Sequence, residues 1–164
     1  MQQQDVNFDG YDDLVFLTAL GASNGFFEFY VWDDGQYVLA GRNALNEDGL
    51  PNYTLDPGRG YVVSYHQMGW AGLLNEQHIF RWEGNRLKLV RYAVCEENKQ
   101  LIFEENSYIE ITDYDRIRAR VFECCYTEGE RTDTVIYETV VEHETVDARA
   151  LLDQIDAALW NGLK

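Results

Sequence analysis

Five oxygen-bearing residues near the amino terminus are spaced as ligands for a hard divalent cation. In Asp5-Val6-Asn7-Phe8-Asp9-Gly10-Tyr11-Asp12-Asp13, Asp5, Asn7 and Asp9 recur at every second position, Gly10 follows at once, and Asp13 closes the run. Calcium takes about six to eight oxygens at about 2.3–2.6 Å, and a twelve-residue EF-hand loop supplies them from positions 1, 3, 5, 7 and 9, with glycine at 6 to turn the chain. Counted from Asp5, the loop puts Asp5, Asn7 and Asp9 at positions 1, 3 and 5, Gly10 at 6, the Tyr11 carbonyl at 7 and Asp13 at 9. At position 12 that pattern needs a bidentate Glu, and this chain has Phe16 inside Leu14-Val15-Phe16-Leu17. The expectation is a Ca2+ site that runs into a strand rather than a helix. An acidic surface turn is the competing reading, because Asp, Asn and Gly bond their own backbone and accept left-handed conformations. Carboxylates crowded into one short turn repel each other unless a cation neutralises them, so a bound ion would also stabilise the fold.

Catalytic constellations are not legible. His66, His78 and His143 are scattered, with no HExxH pair, no Cys/His arrangement and no GxSxG elbow, and Ser23, Ser64 and Ser107 lack the context of a nucleophile. Glu96-Glu97 and Glu104-Glu105 are paired carboxylates of the kind glycoside hydrolysis needs. Neighbours in a strand face opposite ways, however, and solvated turn acids are the better reading, so a carbohydrate-active enzyme is the least favoured alternative and no enzyme is expected. Tyr30, Trp70 and Tyr92 could form a carbohydrate or protein contact surface, or fill a β core.

The net charge of −16 is uneven: residues 1–60 hold 10 acids and 2 bases, 61–100 hold 4 and 5, and 101–164 hold 15 and 6. Nucleic acid would be repelled, since its binding needs bases to neutralise phosphates. An acidic face instead speeds encounters with cations or a basic protein, or simply keeps the chain soluble. Cys95, Cys124 and Cys125 make no zinc pattern. One disulfide from Cys95 to Cys124 or Cys125 and three free thiols are both open.

The elements that would position these residues are mostly strands. Leu14–Leu20 and Gly25–Trp32 flank Gly21-Ala22-Ser23-Asn24 as a hairpin, and Asp33-Asp34-Gly35-Gln36 turns the chain into Tyr37-Val38-Leu39. An irregular stretch from Gly41 to Gly60 holds both prolines, Pro51 and Pro57. Strands are expected again at Tyr61–Gln67, Gln77–Trp82, Arg86–Val94, Gln100–Glu104, Tyr108–Thr112, Arg116–Tyr126 and Thr134–His143. Trp32 and Trp82 lie 50 positions apart, each ending a strand before an acidic, glycine-containing turn. That period suits a propeller-like repeat, and unrelated hairpins would look the same. Arg116, Arg118 and Arg120 share one strand face, with cross-strand ion pairs to residues such as Glu138 and Glu142 the natural use. From Val146 to Leu163 the period becomes helical: Ala148, Leu151, Leu152, Ile155 and Leu159 form one stripe, Asp147 opens it and Gly162 follows it. The fold class is therefore mainly β, an antiparallel meander of hairpins, propeller-like or a partial propeller or barrel, with one amphipathic helix near the carboxyl end covering a sheet face or edge. At 164 residues the simplest organisation is a single β-rich domain over 1–164, with the loop at 5–13 and the helix at 146–163.

The loop together with Tyr30-Val31-Trp32-Asp33, Leu55-Asp56-Pro57 before Tyr61-Val62-Val63-Ser64, and Phe80-Arg81-Trp82-Glu83-Gly84-Asn85-Arg86-Leu87 resembles the calcium loops and strands of FG-GAP and VCBS-type β-propeller-like proteins of the bacterial envelope. That group includes immunity proteins against peptidoglycan hydrolases delivered by type IV secretion systems. The likeness covers about residues 5–90; it implies Ca2+ held by Asp5, Asn7, Asp9, the Tyr11 carbonyl and Asp13, the same set the spacing gives. It also implies a protein-binding role as an inhibitor or immunity protein for a cell-wall hydrolase; enzymes that act on anionic wall polymers are frequently basic, which suits an acidic inhibitor, and a structural or adhesive surface module is the alternative. Extracellular calcium modules bind with Kd of order 10⁻⁴–10⁻³ M, so an extracytoplasmic location is expected, with an amino-terminal portion and export signal preceding Met1.

Overall fold

The computed structural model of this protein describes residues 1–40, 49–104 and 107–163, with backbone alone at 100–104 and 107–109. Antiparallel strands account for most of it, followed by one helix, as the sequence predicts. The chain gathers into two compact units: Met1–Gln67 with Gln77–Arg91, and Met68–Glu76 with Tyr92–Leu163.

The first unit holds a five-stranded sheet. Its path is β1 (Gln2–Gln4), β2 (Asp13–Leu20), β3 (Gly25–Asp33) and β4 (Gln36–Leu39), with β5 (Leu50–Pro51) also pairing with β3. The β2–β3 register sets Leu14 opposite Tyr30 and Val15 opposite Phe29, which turns Val15, Phe29 and Val31 inward. The alternation of apolar and polar residues thus becomes one buried face. Between β3 and β4, Asp34 and Gly35 both take left-handed φ, 43° and 87°, as a two-residue type I′ turn requires. Gly49 is needed for a different reason: φ is +101°, and a Cβ there would stand 2.5 Å from the Phe27 carbonyl oxygen. The second β group in this unit runs β6 (Thr54–Asp56), β7 (Tyr61–Gly69), β8 (Leu74–Glu83) and the first part of β9 (Arg86–Glu104). Tyr61, Val62, Ile79, Phe80 and Leu89 are buried along it.

In the second unit, the remainder of β9 pairs with β10 (Ser107–Thr127), and β10 pairs with β11 (Glu130–Glu142). Ile117, Ala119 and Val121 of β10 and Ala93 and Cys95 of β9 are buried. Helix α1 (Ala148–Trp160) packs on β10 and β11 and buries Leu151, Ile155 and Leu159. Fully burying each of these three side chains contributes about 1.5–3 kcal/mol. Asp147 is the N-cap, accepting from the amides of Arg149 and Ala150 at 3.1 Å, so the helix begins at Ala148, where the apolar stripe begins, and ends at Trp160, inside the expected 146–163.

Several expectations are refined. No closed barrel forms among the described residues; the sheets are open, and β4 and β11 are edges. Trp32 and Trp82 do end strands before turns, but Trp32 is exposed while the Trp82 indole N–H donates to the Val6 carbonyl at 2.6 Å. Their environments differ. The strands expected at Arg86–Val94 and Gln100–Glu104 are one strand, as are Tyr108–Thr112 and Arg116–Tyr126. Most of the irregular stretch expected between Gly41 and Gly60, residues 41–48, lies outside the described residues.

Candidate metal centre

The amino-terminal loop lies in the first unit, between β1 and β2, and is organised by its own carboxylates. Asp5 accepts from the amides of Asp9 at 3.1 Å and Gly10 at 3.0 Å, one to each oxygen. The Asn7 side-chain oxygen also accepts from the Asp9 amide at 3.2 Å, and Asp9 accepts from the Tyr11 amide at 2.9 Å. Phe8 and Gly10 take left-handed φ of 63° and 91°, curling the backbone around these acceptors. Gly10 does so freely; Phe8 is a non-glycine residue in a sparsely used region, held there by the hydrogen bonds on either side.

Asp13 has a different station. Its side chain is wholly buried, and its oxygens accept from the amides of Val6 at 2.9 Å and Trp32 at 2.8 Å. Burial pushes its carboxyl above the ordinary carboxylate range, opposed by these backbone hydrogen bonds and assisted by the nearby charge of Asp9. The loop is further tied down by the Trp82 indole on Val6 and, on the strand before it, by the Tyr53 hydroxyl on Gln4 at 2.8 Å. Neither tie could be found from sequence, since Val6 and Trp82 are 76 residues apart.

The donor set suits a hard cation: three carboxylates, one amide oxygen and one carbonyl. Among the described residues, however, no three His, Cys, Asp or Glu side chains converge as a metal-holding group. The Asn7 amide nitrogen donates to Asp9 Oδ2 at 2.8 Å. Each carboxylate oxygen that accepts one amide still has a lone pair to offer a cation.

The other candidate groups are engaged locally. Arg116 pairs with Glu142 at 2.8 Å, Arg118 with Glu138 at 3.5 Å, and Arg120 with Glu96, so the arginine row makes the expected cross-strand ion pairs. That places Glu96 in an ion pair on β9, while Glu105 and the Glu104 side chain lie outside the described residues. Tyr30 meets Phe16 edge-on, Trp70 lies 4.0 Å from the His143 ring, and Tyr92 stacks on Phe122 at 4.6 Å. All three cysteines are free thiols.

No known protein family, curated protein or solved structure matches this chain. The likeness to FG-GAP and VCBS-type loops therefore rests on the residues of the loop and the strands named above.

Proposed function

We propose that this protein is a protein-binding β module, acting outside the cytoplasm, whose amino-terminal loop takes up Ca2+. The observation that carries the reading is the loop's hydrogen-bond pattern: Asp5 on the amides of Asp9 and Gly10, and Asp9 on that of Tyr11, around left-handed Phe8 and Gly10. That pattern holds oxygen-bearing side chains at alternate positions of one tight turn, where four aspartates in nine residues need a counter-charge. A basic cell-wall hydrolase is the partner class in this proposal, supported by the charge of −16 and by electrostatic complementarity.

Thermal melting in Ca2+ and in chelator tests the metal. At a Ca2+ concentration 100 times Kd, linkage adds about 2.7 kcal/mol, which at about 2–4 °C per kcal/mol is a rise in Tm of roughly 5–10 °C. Asp9→Ala should abolish the Ca2+-dependent part. Equal melting with and without chelator overturns the metal, and unchanged lysis by basic wall-lytic enzymes on adding the protein overturns the partner class.

A further inference from the structure

The outer edge of β11 carries features that the metal reading does not use. β11 ends the order β9-β10-β11, so among the described residues no strand lies beside its second edge. It is 13 residues long, about twice a usual strand, and Val135, Ile136 and Val140 are 45%, 41% and 43% exposed. Exposed edges are ordinarily guarded by charged side chains, lysine above all, by prolines or by bulges, and β11 carries Glu130, Arg131, Asp133, Glu138 and Glu142. β11 has neither lysine nor proline, and its one irregularity is the bulge at Ile136, where the partner of Val121 is Tyr137 and that of Phe122 is Val135.

Charge decides what such an edge can accept. Residues 128–147 hold seven acids and one base, Arg131. Two copies of β11 laid side by side would bring together two strands of like net charge, which repel. At the carboxyl end of β11 a hollow of about 390 Å³ opens against α1, with apolar walls from Val141, Val146 and Leu151; its two acids are already engaged, Glu142 with Arg116 and Asp147 as the cap of α1. A second hollow, lined by Asp115, Glu142, Glu144 and Thr145, adjoins it. Apolar walls beside the Asp115 and Glu144 carboxylates of the second hollow match a lysine or arginine, whose aliphatic stem buries while the charged head reaches those acids.

We propose that the free edge of β11 is the docking site for an extended, basic segment of a protein partner, which adds as a strand and seats a lysine or arginine side chain in the hollow beside α1. The inference rests on the reading of the chain as a protein-binding module. Main-chain hydrogen bonds along a sheet edge supply affinity, and alternate side chains supply selectivity. Side chains of an added strand alternate between faces, so every second one points to the side where Tyr137, Thr139 and Val141 are half-buried near α1.

The test titrates the full chain, in Ca2+ and in chelator, with synthetic peptides of alternating Thr and Lys or alternating Thr and Glu, while amide hydrogen exchange is followed along the sequence. The Thr-Lys peptide is expected to slow exchange across 130–142 and to bind less tightly as salt rises; the Thr-Glu peptide is expected not to bind. Val140→Lys, at an exposed position, should weaken Thr-Lys binding about tenfold, or about 1.4 kcal/mol, and Ala150→Phe, which fills the hollow from the helix side, should weaken it independently. No binding, equal binding of both peptides, or sedimentation showing two copies paired through β11 overturns the proposal. Protection at another strand also overturns it but leaves the protein-binding reading standing, and a missing Ca2+ response bears on the loop alone.

Discussion

Asp13 and Trp32 are joined by a hydrogen bond from a backbone amide to a carboxylate that has no exposure to solvent, 2.8 Å long. The other oxygen of the same carboxylate holds the Val6 amide at 2.9 Å. One side chain therefore fastens the start of the loop to β3, and the residue that spacing marks as a metal ligand is already a structural joint. Asp13→Ala should remove both acceptors and leave the Val6 and Trp32 amides without partners, at about 1–3 kcal/mol for each unsatisfied donor. Asp13→Asn should fall between wild type and alanine: it removes a buried charge but turns one amide N–H toward a backbone donor. Thermal melts in chelator check the order, and an alanine variant as stable as wild type would show that the joint carries no load.

The thiols separate by environment. Cys95 is buried in the second unit and its thiol is pushed up to about 11 by burial; Cys124 is pushed up to about 12 by burial and by the adjacent Asp133 carboxylate. Cys125, the next residue, is exposed. Thiolate is the reactive form, so a thiol reagent at neutral pH should modify Cys125 quickly and the other two slowly, with all three reacting in denaturant. Reductant should leave Tm unchanged. Only one reactive thiol in denaturant would mean a disulfide that this structure does not contain.

The strands that sequence locates best are those with clear alternation: it predicts Leu14–Leu20 where Asp13–Leu20 forms, and Gly25–Trp32 where Gly25–Asp33 forms. Gln2–Gln4 is invisible because a strand of three glutamines has no apolar face to announce it; its pairing with Asp13–Val15 supplies the order. β9 reads as two strands because Glu96-Glu97-Asn98-Lys99 looks like a solvated turn. In the fold Glu96 meets Arg120 and Lys99 meets Glu110 at 3.0 Å, so charges that suggest a break are cross-strand partners. The loop's internal turns are local and therefore legible. Its ties to Trp32 and Trp82 come from distant chain and are not.

Tyr92 gives the clearest pH dependence. Its ring stacks on Phe122 with planes 10° apart, and its hydroxyl donates to Asp133 Oδ2 at 3.0 Å. Burial, then the hydrogen bond to Asp133 and that carboxylate's charge, push the phenol from 10.0 up to about 12. Because the folded value is the higher one, the contribution to stability is complete below the unfolded value of 10.0 and is lost as pH rises through about 12. Cys95 and Cys124, also raised, add losses of the same sign that begin near their ordinary value of 9.0. Tyr92→Phe keeps the ring and its stacking but removes both the proton and the hydrogen bond. Wild type should therefore melt above Tyr92→Phe at neutral pH, with the gap closing as pH passes from 10.0 toward about 12. Circular dichroism melts of the two proteins across that range measure the gap directly; a constant difference would mean that the hydroxyl and Asp133 are not coupled in the folded state.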